Sequence, residues 1–290
     1  MAPLSCFRPL QAYQLDSGEI KFSERGKIRR ALQLPCGRCI GCRATRQRSW
    51  AIRCLHEASL HEHNSFITLT YDDANCPVSL DYRDYQKFMY RLRRSLGPTR
   101  FFACGEYGEL TRRPHFHSIL FGVTFPDRDP CGTGIFRSKT LEKLWPFGFS
   151  SFGNVTYQSA AYVAGYALKK ITGPSAENHY QGIDWRSGEL VSLTPEFAHM
   201  SLKPGIGYSW FQKYWQEVYL ARDGVVLQGG KKVPAPSYYD TLLSRLDDDL
   251  YASKTLDRYN QSSAYAADNT PARLATRELA AVLTLKARQL

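Results

Sequence analysis

The sequence is poor in long apolar runs. Nowhere does one approach the ~18 residues that a membrane-spanning helix needs, and the opening MAPLSCFRPL holds no continuous apolar segment of the secretory-leader kind. A soluble protein of the cytoplasm is therefore expected. No Gly-x-x-x-x-Gly-Lys loop occurs, which excludes an ATP-driven motor of the Walker type. Internal repeats are absent. Acidic residues are missing from Arg25 to Cys54, a stretch that carries nine Lys and Arg.

What is present suits an enzyme-sized chain. The 290 residues are 43% hydrophobic, enough for at least one full core. A net charge of +11 and a pI near 9.3 favour a polyanionic partner. From Pro236 to Leu290 there are seven basic and seven acidic residues, so the whole excess lies in residues 1–235. Eight cysteines with no leader, three of them spaced C-x-x-C-x-x-C, point to thiols or a metal rather than to disulfides.

Periodicity predicts an extended N-terminal stretch ending at Leu34-Pro35, then a helix from Arg43 to about His63. The β-branched and aromatic run Phe66 to Tyr71 reads as a buried strand. Asp81 caps a helix that stops at Gly97-Pro98, and two strands follow, Arg100 to Glu106 and His115 to Gly122. Ser138 to Trp145 reads as helix, Phe149 to Tyr157 as strand and Ser159 to Ile171 as helix. Residues 174–202 read as loops, and Tyr208 to Tyr219 as an aromatic amphipathic helix that is more simply core than a base-stacking surface. The order β-α-β-β-α-β-α predicts an α+β fold: a split β-α-β, ferredoxin- or RRM-like antiparallel sheet with helices on one face and the other face open to a ligand. The expected segments are 1–64 with the cysteines and arginine-rich helix, 65–172 as the core, 173–235 packing on it, and 236–290 as a partly helical tail.

The sharpest motif is Arg-Pro-His-Phe-His. In a strand His115 and His117 share a face, and two adjacent imidazoles form half of a divalent metal site. The plain alternative is two structural histidines; H-x-H also occurs in cupin-like and histidine-triad hydrolases, although no third histidine follows at the triad spacing. Glu106 ends the neighbouring strand and is the candidate oxygen ligand, with Glu109 as its substitute. Two histidines and one carboxylate leave positions open for phosphate oxygens and water.

In Ala-Tyr-Val-Ala-Gly-Tyr-Ala-Leu-Lys-Lys, Tyr162 and Tyr166 lie one helical turn apart, and Lys170, with Lys169 in reach, extends the stripe. A phenol that attacks phosphorus needs a cation near the developing charge. Core packing is the ordinary reading of Tyr-x-x-x-Tyr. Cys36, Cys39 and Cys42 suit structural Zn²⁺, with Cys6 as fourth ligand, His56 a poorer one, and free thiols or an iron-sulfur cluster as alternatives. Arg43, Arg46 and Arg53, facing outward from the helix, and Arg113 beside the histidines are candidate contacts to a DNA backbone.

PCGRCIGCR, FITLTYDD, CGEYGE, RPHFHSILFG and YVAGYALKK together resemble the HUH endonucleases, and within them the replication initiators of microviruses, especially the gokushovirus branch. The resemblance spans about Pro35 to Lys170. It implies the HUH fold, with Mg²⁺ or Mn²⁺ held by His115, His117 and Glu106. It further implies nicking of a single-stranded DNA origin through a 5′-phosphotyrosyl link, with a free 3′-OH left for a host polymerase. Tyr162 and Tyr166 would then permit two successive transesterifications. A host helicase would separate the strands, in the host bacterial cytoplasm. Two competing readings are a non-catalytic zinc-containing single-stranded DNA-binding protein and a phosphoesterase that uses water directly.

Overall fold

The structure, a computed structural model, describes residues 6–108, 111–166 and 175–287. The chain divides into two compact units, residues 47–214 and residues 1–46 with 215–290. Strands β1 (Leu10–Leu15), β2 (Ile20–Lys21) and β3 (Ile28–Leu34) precede helix α1 (Ile40–Ala58). Next come β4 (Asn64–Tyr71), α2 (Tyr82–Leu96), β5 (Arg100–Tyr107) and β6 (Pro114–Phe121). Then follow β7 (Asp129–Gly132), β8 (Ile135–Arg137), α3 (Lys139–Leu144), β9 (Gly148–Gly153) and α4 (Tyr157–Tyr166). A third group is α5 (Ser175–His179), β10 (Gln181–Ile183), β11 (Leu190–Ser192), β12 (Phe197–Met200) and α6 (Tyr208–Gln216), which runs into a π-helical turn at Glu217–Ala221. The last elements are β13 (Val225–Val226), β14 (Lys232–Val233), α7 (Ser237–Leu246), α8 (Asp248–Ser263) and α9 (Pro271–Ala287).

Residues 47–214 are built on a seven-stranded antiparallel sheet in the order β12-β5-β6-β4-β9-β8-β7. The fold is thus α+β, with the expected antiparallel sheet. Alternation along β4 buries Ile67, Leu69 and Tyr71 on one face and turns Phe66, Thr68 and Thr70 to the other. On the first face Tyr85, Phe88 and Leu92 of α2, with Leu141 of α3 and Trp145, pack against Ile67, Leu69, Phe116 and Leu120. Asp81 caps α2 by accepting from the Arg83 N–H at 2.9 Å, and Gly97 ends it at φ 89°.

The second face is not open along its length. Ala51, Cys54 and Ala58 of α1 and Ala160, Val163 and Ala164 of α4 pack against Phe102, Cys104, Ile119 and Phe121. Helices therefore lie on both faces, where the pattern predicts one. The reason is that α1 and α4 present mostly small side chains inward, and these carry little hydrophobic signal while letting a helix approach large aromatics closely. The stretch read as loops also contains β12, which extends the sheet beside β5 with Phe197 opposite Gly105. A Cβ on Gly105 would lie 2.7 Å from the Phe197 ring, so the glycine makes room for that strand.

The other unit has a meander in the order β2-β1-β3 and the C-terminal helices. Tyr219 donates to Asp240 at 2.8 Å, and Arg258 pairs with Asp223 at 2.8 Å and with Asp240 at 3.1 Å, so polar groups tie α7 to α8. No helix among the described residues is long and apolar enough to cross a membrane.

Two outcomes follow from the packing of residues 47–214. Phe88→Ala should cost about 3–5 kcal/mol in denaturant unfolding, whereas the exposed Tyr90→Ala should stay within about 0.5 kcal/mol. His56 stacks on Trp210 with ring centroids 3.4 Å apart, and burial holds its pKa down to about 3. Because the folded value lies below the unfolded value of about 6.5, the unfolded chain binds the extra proton, and stability falls as pH drops from about 6.5 towards 3. Unfolding curves across that range should show wild type losing stability relative to His56→Phe; parallel pH profiles would contradict the assignment.

Candidate active site

The β5–β6 hairpin sets the geometry. Its register places Glu106 opposite His115 and Cys104 opposite His117, and β4 places Thr68 on the other side of His117. Because side chains two apart share a face, Glu106, His115 and His117 all emerge on the side of the sheet that carries α1 and α4. Glu106 Oε1 lies 2.8 Å from His115 Nε2 and 2.9 Å from His117 Nε2. The three side chains are almost wholly buried.

The far nitrogens of the imidazoles are held by the protein. His115 Nδ1 lies 3.1 Å from the Arg113 carbonyl, and His117 Nδ1 lies 3.0 Å from Thr68 Oγ1. Such contacts fix ring orientation and tautomer and leave both Nε2 atoms directed at the carboxylate. Burial pushes the Glu106 carboxyl up, but hydrogen bonds and positive charge from His115 and His117 outweigh it and hold the group below the ordinary carboxylate range. At His117 the 2.9 Å approach to Glu106 lacks the direction of a hydrogen bond. A buried nitrogen and a carboxylate oxygen converging in this way, with a second imidazole within 4.8 Å, fit one divalent cation bound by two nitrogens and one oxygen.

Tyr162 stands beside this group. Its ring meets that of His117 edge-on with centroids 5.0 Å apart, and it is 43% exposed, so the phenol sits at the edge of a buried cluster yet open to solvent. Helix α4 is brought there by close approach to α1. Gln47 Nε2 donates to the Ala161 carbonyl at 2.7 Å, and a Cβ on Gly165 would lie 2.6 Å from the same Gln47 nitrogen. The backbone of α4 extends to Tyr166, one turn beyond Tyr162. Lys169 and Lys170 lie outside the described residues, as does Glu109.

The arginines divide. Arg43 and Arg46 are exposed. Arg113 pairs with Asp73 and donates from Nη1 to the Tyr71 carbonyl at 2.8 Å, which ties the start of β6 to the end of β4. Arg53 does not face outward: it is only 9% exposed, its guanidinium lies 3.9 Å over the Trp50 ring, and Nε donates to the Ile206 carbonyl at 3.0 Å. Stacking on Trp50 supplies the reason, since it draws the guanidinium inward along the helix. In the other unit Cys6, Cys36, Cys39 and Cys42 come together, each sulfur within 4.8 Å of the others.

Two neighbours escape the sequence motifs. Thr68 orients His117, and Phe66 stacks on His117 at 5.6 Å and meets Tyr162 edge-on at 6.2 Å. The alternation in FITLTY carries the signal, because Phe66 and Thr68 share the face turned away from Ile67 and Leu69. Tyr107 and Tyr180 are buried, and their hydroxyls donate to the Thr194 carbonyl and to Glu196.

An α+β sheet with this cluster at its edge defines a class that the comparisons identify. Residues 64–171 match the family described as Replication-associated protein ORF2. Replication-associated protein VP4 of Bdellovibrio phage phiMH2K is 33% identical over 255 residues, covering 81% of this chain and 76% of that protein. Replication-associated protein ORF2 of Spiroplasma virus 4 is 30% identical over 276 residues, covering 83% and 81%. Replication-associated protein ORF4 of Chlamydia phage 1 is 29% identical over 228 residues, covering 73% and 54%. The chain belongs to this family of phage replication-associated proteins. No solved structure matches it.

If Thr68 orients His117 for a metal, Thr68→Val should weaken Mn²⁺ binding about 10–100-fold while the unfolding midpoint moves little. Titration calorimetry on the folded variant checks this; unchanged affinity would remove Thr68 from the site.

Proposed function

We propose that the protein starts rolling-circle replication by nicking a single-stranded DNA origin and rejoining it through a tyrosyl-DNA link. The observation that carries this reading is the convergence of Glu106, His115 and His117 beside the solvent-open phenol of Tyr162. In the reaction the phenol oxygen of Tyr162 bonds to phosphorus as the phosphorus–O3′ bond breaks. The phenolic proton is lost, the 3′ oxygen takes up a proton, and a 5′-phosphotyrosyl ester remains. That ester conserves the energy of the phosphodiester, so attack by a new 3′-OH reseals DNA without a nucleotide cofactor. A divalent ion, Mg²⁺ or Mn²⁺, held by Glu106, His115 and His117 supplies positive charge against the phosphate oxygens.

In this reading Tyr166 is the second nucleophile, used when the displaced strand is cut and closed, and Lys169 and Lys170 offset the charge on phosphate. The exposed Arg43 and Arg46 track the DNA backbone. The partners are a single-stranded origin, a host helicase to separate strands and a host polymerase to extend the 3′-OH, all in the bacterial cytoplasm.

Labelled single-stranded origin DNA with Mg²⁺, run on a denaturing gel, should give a DNA–protein adduct resistant to detergent. His115→Ala and His117→Ala should abolish cleavage yet keep salt-dependent binding, and the double variant Tyr162→Phe with Tyr166→Phe should form no adduct. Binding without cleavage by wild type would favour the non-catalytic DNA-binding protein. Cleavage without an adduct would favour a phosphoesterase that uses water.

A further inference from the structure

We propose that Cys6, Cys36, Cys39 and Cys42 form a closed four-thiolate site for one structural Zn²⁺, and that this ion fastens the N-terminal strand segment to the start of α1. The Sγ atoms of Cys6 and Cys39 are 3.8 Å apart, and those of Cys36 and Cys42 are 4.0 Å apart. These are opposite edges of one tetrahedron. Four sulfurs at the usual zinc–sulfur distance of about 2.3 Å define edges of about 3.8 Å. Disulfides, with sulfurs about 2.05 Å apart, are not formed at such separations. A four-iron cluster requires its thiolates spread over four irons around an inorganic core, a wider spacing than the 4.8 Å that contains this set.

The backbone prepares the sulfurs for negative charge. Cys36 N donates to Cys6 Sγ at 3.1 Å, Cys39 N to Cys36 Sγ at 3.3 Å, and Phe7 N to Cys39 Sγ at 3.3 Å. Gly37, at φ 74°, makes the turn between the first two cysteines of the motif. Burial raises the Cys39 thiol, but backbone donors from Cys42 and Phe7, with its neighbouring thiols, pull it down to about 6. Four thiolates around Zn²⁺ leave an excess of negative charge, and Arg8, Arg38, Arg43 and Arg46, all exposed in the same unit, offset it.

The need for the ion follows from how little else holds this part of the chain. Around the cysteines the fully buried apolar residues are Phe7, Cys39 and Leu274. A core of that size leaves little to set against conformational entropy, and a metal that cross-links Cys6 to Cys36, 30 residues apart, removes much of the freedom of the unfolded loop. Four protein ligands leave no position for substrate, so the ion takes no part in the reaction at Glu106, His115 and His117. The site stands whether or not the nuclease reading does.

The test uses the full-length protein. Elemental analysis should find about one zinc per chain, retained by the His115→Ala and His117→Ala variants. Mass-spectrometric alkylation of native protein should spare Cys6, Cys36, Cys39 and Cys42, while the exposed Cys131 reacts. A strong chelator should then open those four, and Cys54 and Cys104, protected by burial, should stay closed. Cys6→Ser should weaken zinc retention at least about 10-fold. Iron in place of zinc, no bound metal, zinc lost with the histidines, or alkylation of the four at the rate of Cys131 would each overturn the proposal.

Discussion

The register of the β5–β6 hairpin is the constraint on which the candidate site depends. A slip of one residue would turn His115 and His117 to the face packed by α2 and carry Phe116 and Ser118 into their place. Burial fixes that register from both sides: Phe116 and Leu120 are needed under α2, and Ile119 and Phe121 under α1 and α4. The apolar alternation that builds the core thereby also decides which carboxylate meets which imidazole. Core and site share one pattern.

The second requirement is a helix close enough to bring a phenol to the histidines without sealing it in. The small inward side chains of α4, with Gly165 against Gln47, let it ride low on α1 and the sheet, so that Tyr162 reaches the His117 ring from the edge. A larger residue at Ala160 or Ala164, both fully buried, would lift the helix and the phenol with it. Spacing alone could not report this, because Tyr-x-x-x-Tyr is common on helices that only pack.

Much of this is legible in the sequence where local rules govern it. The α+β order, the cap at Asp81, the stop at Gly97 and the hairpin that sets Glu106 beside the histidines all follow from turn residues and period-two alternation. Tertiary packing governs the rest. Arg53 reads as a surface cation until Trp50 draws it inward. Helices α1 and α4 read as leaving the second sheet face open, because alanine stripes carry little hydrophobic signal. Strand β12 is too short to show a period and is recognised by its partner β5. Thr68 carries no motif of its own; its role appears when β4 is laid beside β6.

The central claim is that the phenol beside Glu106, His115 and His117 attacks DNA, and the DNA-linked peptide tests it most directly. Wild-type protein trapped on single-stranded origin DNA with Mg²⁺, digested and mapped by mass spectrometry, should yield a nucleotide-bearing peptide from the α4 segment, modified at Tyr162 or Tyr166. A nucleotide-bearing peptide containing neither tyrosine would contradict the account.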